Sequence, residues 1–199
     1  MRIREKTPMV FYDRIPVGMD VSQVIVDDYI KSFFMVEHLI RNGRRHIVHL
    51  QGPSYIHNSM ERVKGYKDAL EKFRIPYDTS LLIKTGVTIE AGRQAAEQLL
   101  NTETQFDSIF AFTDTQAIGA MNYLRGQGIK IPQDVAIASF SGTILSTIVY
   151  PQLTTVEQPL IEMGEKAAEL IYEKINNPDA PNRTIVLNAE IKLRASTEV

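Results

Sequence analysis

Cysteine is absent from the 199-residue chain, which excludes a disulfide framework and thiolate chemistry and fits a reducing cytosol. No segment approaches the roughly 18 apolar residues of a membrane span. The opening MRIREKTPMVFYDR lacks the apolar core of a secretion signal, so the expected location is cytoplasmic. Neither sign of charge dominates: 22 Lys+Arg stand against 24 Asp+Glu, a formal −2. A broad nucleic-acid surface is therefore not expected within these residues, because such domains are markedly basic. Internal repeats and low-complexity tracts are missing. So are the phosphate loops G-x-G-x-x-G and G-x-x-x-x-G-K-[ST] and the nucleophile elbow G-x-S-x-G, and no enzymatic activity is expected. His46 and His49, three apart on a strand, point to opposite faces, and His38 and His57 have no partner at ligand spacing. Neither a metal nor a cofactor is expected.

What is present is ordinary soluble composition, 44% apolar and 23% charged, at a length that permits one large domain or two small lobes. The most informative stretch runs from Ile109 to Pro159. Its short apolar run Ile109 to Phe112 suits a strand covered on both faces. Asp114 stands where an N-cap belongs. Ala117, Ile118, Ala120, Met121 and Leu124 form a helical stripe that Gly126 or Gly128 ends. Val135 to Phe140 is a second apolar strand. Strand, helix and strand in about 30 residues make a βαβ unit with parallel strands. Ligands bind beyond the carboxyl ends of such strands, here at Thr113-Asp114 and Phe140-Ser141.

The remaining chain alternates in the same way. Met9 to Tyr12 predicts a strand ending at Asp13-Arg14, and Val24 to Val26 another. Asp27 or Asp28 caps a helix whose apolar face includes Ile30, Phe33, Val36 and Leu39. A strand follows over His46 to Leu50. Ser59 is the expected cap of a helix running to Phe73, with Arg62 in its first turn, an unusual place for a cation. Arg62 either reaches into the crevice as a fork donor to a polar ligand or pairs with Glu61 or another carboxylate. Strand Leu81 to Lys84, helix Thr88 to Leu100, extended Leu153 to Val156, a helix opening at Pro159, and half-buried strands near Ile185 and Ile191 complete the α/β pattern.

Several pieces in this order, VEHLIRNGRRHIVHLQGP, ERVKGYKDAL, FTDTQAIGAM, LRGQGIKIPQDVAIASF, YPQLTTVEQP and LRAST, resemble the effector-binding domain of LacI/GalR-type transcriptional regulators. The resemblance implies a two-lobed periplasmic-binding-protein-like fold with parallel sheets flanked by helices. It implies a C-terminal lobe over residues 44–156 and an N-terminal lobe from residues 1–43 and 157–199. Nothing here matches the first units of that N-terminal lobe or the helix-turn-helix head of the family, so the N-terminal lobe is expected to be incomplete and operator DNA to be reached only through a head this chain lacks. The implied partner is a small effector, a sugar or related polar metabolite, held by Asp13, Arg62, Thr113, Asp114, Phe140 and Ser141. In that reading Arg62 is a crevice donor rather than a core residue, and Phe140 stacks on an apolar ligand face. An exported solute-binding protein is the alternative with the same fold.

One departure concerns the effector. Many relatives carry G-F-D-D or G-Y-D-D where this chain has Ser139-Phe140-Ser141-Gly142. Ser141 offers a hydroxyl where they place a carboxylate, which opens the site to phosphorylated or anionic ligands or a protein co-effector. Thr143 to Tyr150, TILSTIVY, is mostly apolar where the chain should cross the surface. Ile118, Met121, Leu145, Ile148 and Val149 either cover the lobe's own core or form the two-fold homodimer interface that the resemblance implies.

Overall fold

The computed structural model describes residues 7–102 and 104–198; the MRIREK opening, the first six residues of the expected N-terminal lobe, lies outside them. Nine strands and six α-helices follow one another among these residues. Strands β1 (Val10–Tyr12), β2 (Ser22–Val26) and β8 (Thr184–Leu187) form a parallel sheet in the order β1-β2-β8. Strands β3 (Ile47–Gln51), β4 (Leu82–Lys84), β5 (Ser108–Ala111), β6 (Ala136–Ser141), β7 (Thr154–Glu157) and β9 (Glu190–Lys192) form the larger sheet, β4-β3-β5-β6-β7-β9. All its pairings are parallel except β7 with β9. The helices are α1 (Asp28–Arg41), α2 (His57–Lys72), α3 (Ile89–Asn101), α4 (Asp114–Gly126), the single turn α5 (Leu145–Ile148) and α6 (Leu160–Asn176).

Alternation within unbroken apolar runs explains the layering. Phe110, Ala136, Ala138 and Phe140 turn to the face that carries α1 and α2. Ile109, Ala111 and Ile137 turn to the face that carries α3 and α4. A strand buried on both sides has no polar side to show, as these runs predict. Helix α6 packs on β1 and β2.

Two parts of the expected lobe division change. Helix α1 packs against α2 and β6 rather than on the smaller sheet, because Met35, Val36, Leu39 and Ile40 share the core of Ile47, Tyr66 and Phe110. Residues 190–197 also leave the expected N-terminal lobe. Strand β9 pairs with β7, and beyond it Ser196 accepts from Ile137 N at 2.9 Å and bonds Thr154 N through its Oγ at 2.8 Å. The chain therefore crosses between the sheets three times, before α1, after β7 and between β8 and β9.

Two caps also move. Thr113, not Asp114, caps α4, in a reciprocal box with Gln116. Helix α2 begins at His57 without a side-chain cap. The carbonyl of Ile15 takes the His57 N–H at 2.7 Å, so Ser59 is not needed for that purpose and lies buried inside the helix.

Candidate functional site

Arg62 lies in the second turn of α2 and is only 2% exposed. Its Nε donates to Asp28 Oδ1 at 2.7 Å and its Nη1 to the Phe112 carbonyl at 2.6 Å. The guanidinium carbon sits 4.3 Å from the Phe112 ring centre and 3.5 Å from that of Phe140. Of the two readings open in the sequence, the second partner proves to be a carboxylate, Asp28, at the start of α1. Burial raises the Asp28 pKa, and the Arg62 charge and hydrogen bond oppose that rise. Arg62 is thus a core residue as well as a candidate donor. Phe140 is fully buried with its face taken by Arg62, so stacking on a ligand is not its role in this arrangement.

Asp114 is a hub inside the protein. Its Oδ1 accepts from Ser139 Oγ at 2.7 Å and Thr155 Oγ1 at 2.8 Å. Its Oδ2 accepts from Thr143 N at 2.6 Å and Thr143 Oγ1 at 2.8 Å. Four donors leave little capacity for a ligand, and the residue is 1% exposed. What Asp114 does is fasten the turn after β6 to the head of α4. That turn needs fastening, since Ser141 has φ +136° and Gly142 φ +70°, and a side chain at Gly142 would run into Glu157.

The two sheets meet through Asp13. It ends β1 with φ +60°, and its Oδ1 accepts from Gln158 Nε2 at 3.0 Å. Gln158 N in turn donates to the Ser141 carbonyl at 3.4 Å. A strap closes the same mouth: Val17 N donates to the Tyr55 carbonyl at 3.1 Å, and Pro16 and Ile56 form an antiparallel bridge. Asp13, Arg62, Thr113 and Ser141 therefore lie at the carboxyl ends of strands and on the helices that face them. Sequence reasoning missed Asp28, Gln158 and Asn58. Gln158 lies in the quoted VEQP, but its partner Asp13 is 145 positions away. Gln51 Oε1, Asn58 Oδ1 and Ser59 Oγ, at the end of β3 and the head of α2, are buried without a hydrogen-bond partner.

One layer deeper, His49 stacks between Tyr66 and Phe110, with ring centres 5.3 and 4.9 Å away. Its Nδ1 lies 2.9 Å from the Phe110 carbonyl, which can only accept, so that nitrogen carries the hydrogen. Nε2 is buried without a partner. Burial pushes the His49 pKa down from 6.5 to about 4. A folded value below the unfolded one means that stability is present at neutral pH and falls as pH drops from 6.5 toward 4. About 2 kcal/mol should be lost between pH 7 and pH 5 by this group alone. Urea titrations at both pH values, repeated with His49→Gln, check it; an equal loss in the variant assigns the acid sensitivity elsewhere.

Among the described residues, no group of three or more His, Cys, Asp or Glu side chains is placed to hold a metal ion. No helix there is long and apolar enough to cross a membrane. Of the expected dimer residues, Ile118 and Met121 are buried in the core between α4 and the larger sheet, Met121 completely. Leu145 and Val149 pack partly against that core, while Ile148 is 69% exposed between exposed Ile144 and Tyr150.

Two largely parallel sheets flanked by helices and joined at their strand ends by the Asp13–Gln158 contact define a periplasmic-binding-protein-like class of fold. The chain belongs to the periplasmic binding protein-like domain family, whose model matches residues 36–197. It is similar to the HTH-type transcriptional regulator DegA of Bacillus subtilis, 33% identical over 95% of this chain and 55% of the relative. The chain thus spans about half the length of that curated relative. Its structure is similar to a transcriptional regulator CelR–cellobiose complex, at TM-score 0.88 and 29% identity, over 94% of this chain and 58% of the other. It is also similar to a LacI-family sugar-binding regulator from Escherichia coli complexed with phosphate, at TM-score 0.79 and 29% identity, over 94% and 67%. The relatives are LacI-family regulators, in line with the resemblance read from the motifs and with the expectation against catalysis.

Proposed function

We propose that the chain is the effector-binding and dimerisation part of a LacI-type transcriptional regulator, taking a small polar ligand between its two sheets. The observation that carries this is the string Asp13–Gln158–Ser141, which joins the end of β1 to the end of β6 across the crevice. A ligand with donors and acceptors on two sides shifts the population toward the arrangement in which both sheets touch it. Asp13, Arg62, Thr113 and Ser141 are its contact residues, with Asn58 added from the buried, unpartnered amide oxygen at the head of α2. Asp114 and Phe140 act behind them, holding Ser141 and Arg62 in place. The protein works in the cytoplasm, and operator DNA is contacted by a helix-turn-helix unit, for which these residues supply no recognition helix. A thermal-shift panel of pentoses, hexoses, disaccharides and nucleosides is the test. At least one should raise the unfolding midpoint, and Asp13→Ala should remove the response, its ligand-free midpoint falling by about 2–4 °C through loss of the Gln158 bond and the strain of alanine at φ +60°. A response that persists in the variant sinks the crevice reading.

The same reading includes a two-fold dimer through Ile144, Ile148 and Tyr150, the exposed apolar side chains around α5, with Leu145 and Val149 behind them. Such a patch is self-complementary about a two-fold axis. Ile148→Asp should give a folded monomer by sedimentation, with unchanged circular dichroism. A variant that still sediments as a dimer places the contact elsewhere.

A further inference from the structure

We infer that the segment Asp13 to Val17 is a latch that caps α2 in trans, so that opening the crevice unravels the first helical turn, His57 to Met60. The inference concerns the ligand-free chain and does not depend on what the crevice holds. A helix leaves its first N–H groups without intrahelical partners, and a side chain at the cap ordinarily takes one of them. The three other long helices on the larger sheet follow that rule. Asp27 accepts from Ile30 N at 2.9 Å for α1, Thr88 from Ala91 N at 3.1 Å for α3, and Thr113 from Gln116 N at 3.4 Å for α4. Helix α2 does not. Its cap residue is Ile56, extended at φ −104° and ψ 127°, whose side chain accepts no hydrogen bond. Its first turn holds no acidic residue, and the bond that opens the helix, Met60 N to the Ile56 carbonyl, is long at 3.4 Å. Asn58 Oδ1 and Ser59 Oγ, within that turn, are buried without a partner and cap nothing.

The acceptor comes instead from across the crevice. Ile15, just beyond the end of β1, gives its carbonyl to His57 N at 2.7 Å. The pairing continues outward, with Pro16 opposite Ile56 and Val17 N donating to the Tyr55 carbonyl at 3.1 Å. Ile15 and Ile56 are both buried, which anchors the two strands of the latch. Positive φ at Asp13 and Gly18, +60° and +78°, lets the segment leave the line of β1 and turn back toward β2. The cap therefore belongs to the smaller sheet and the helix to the larger one. Separating the sheets withdraws the Ile15 carbonyl. The turn that carries Asn58, with Arg62 one turn further on, then lacks an acceptor that none of its own side chains supplies. Loss of a cap shifts the balance toward the frayed turn by about fivefold. Closure of the crevice and order at the head of α2 are one event.

Amide hydrogen exchange of the whole chain, read by mass spectrometry on peptides spanning Tyr55 to Glu61, tests the latch. The chain has no cysteine, so Val17→Cys with Tyr55→Cys, at two exposed positions, introduces a single thiol pair. Oxidation should join the pair and slow exchange at His57 to Met60 by about fivefold or more, and reduction should restore the original rate. Ile15→Ala, which loosens the anchor, should speed the same amides by about fivefold while the self-capped first turn of α4 stays unchanged. Ile56→Thr added to that variant gives α2 a cap of its own and should return the protection. Thiols that fail to join, or a crosslink that leaves the exchange of His57 to Met60 unaltered, overturn the latch. Equal loosening of α2 and α4 in Ile15→Ala overturns it too, as does loosening that Ile56→Thr does not reverse. If Ile15→Ala does not fold by circular dichroism, the crosslinked chain decides alone.

Discussion

Arg62→Ala should lower the stability of the chain by about 3–5 kcal/mol, more than any single contact to a ligand would explain. Alanine removes the charge that neutralises Asp28 and leaves that carboxylate buried at the start of α1. It also vacates the space between Phe112 and Phe140, so α2 loses its tie to the ends of β5 and β6. Urea unfolding followed by circular dichroism gives the number. The double variant Asp28→Asn, Arg62→Met should recover a large part of the loss, because no uncompensated charge remains. A single-variant loss below about 1 kcal/mol would mean that Asp28 simply takes up a proton, the direction in which burial already pushes its pKa. The resemblance read from the sequence made Arg62 a crevice donor rather than a core residue, whereas it is 2% exposed. The difference is practical: loss of effector response in Arg62→Ala cannot be read as a lost contact unless folding is measured alongside it.

A comparably large effect is expected where α3 and α4 touch. A Cβ on Gly119 would run into the carbonyl oxygen of Ile89, and one on Gly92 into that of Gln116. Both obstacles are backbone, so no rotamer change relieves them. Gly119→Ala should therefore force the helices apart and cost about 3 kcal/mol, lowering the melting midpoint by roughly 6–12 °C for a chain of this size. Gly126→Ala, at the end of the same helix with open space around it, should instead stabilise by about 0.5–1 kcal/mol. Opposite signs for two Gly→Ala changes in one helix isolate the close approach from intrinsic helix preference. Equal effects would mean that the helix pair repacks freely.

The strands and helices were legible because each apolar run or stripe has one dominant reading. Ile109 to Phe112 and Val135 to Phe140 gave strands β5 and β6 to within one residue, and the Ile30-to-Ile40 stripe gave α1. Adjacent polar residues were harder. Thr113 and Asp114 can each cap α4, and the choice falls to Thr113 because Ser139, Thr143 and Thr155 compete for the Asp114 carboxylate. Those competitors lie 25 to 41 positions away, beyond the reach of local pattern. Arg62 and Asp28, 34 apart, fail to announce each other for the same reason. Ile118 and Met121 illustrate a different limit: an apolar helical stripe looks alike whether it faces a core or a partner. Strand β9 was readable as a strand but not as a member of the larger sheet, since alternation sets which side is buried and says nothing about the neighbour.

The late return of β9 has a consequence for how the protein is made. A ribosome delivers residues in order, and the larger sheet receives β9, and the Ser196 and Thr197 hydroxyls that satisfy Thr154, only after α6 and β8 have been made. Until then the outer edge of β7 is an unpaired strand edge, the kind of surface on which nascent chains associate. Neither sheet is a continuous stretch of sequence, so neither is completed before part of the other has been made. Native pairing waits for contacts between distant positions, which slows folding, and places the risk of misassembly in the interval between synthesis of β7 and synthesis of β9.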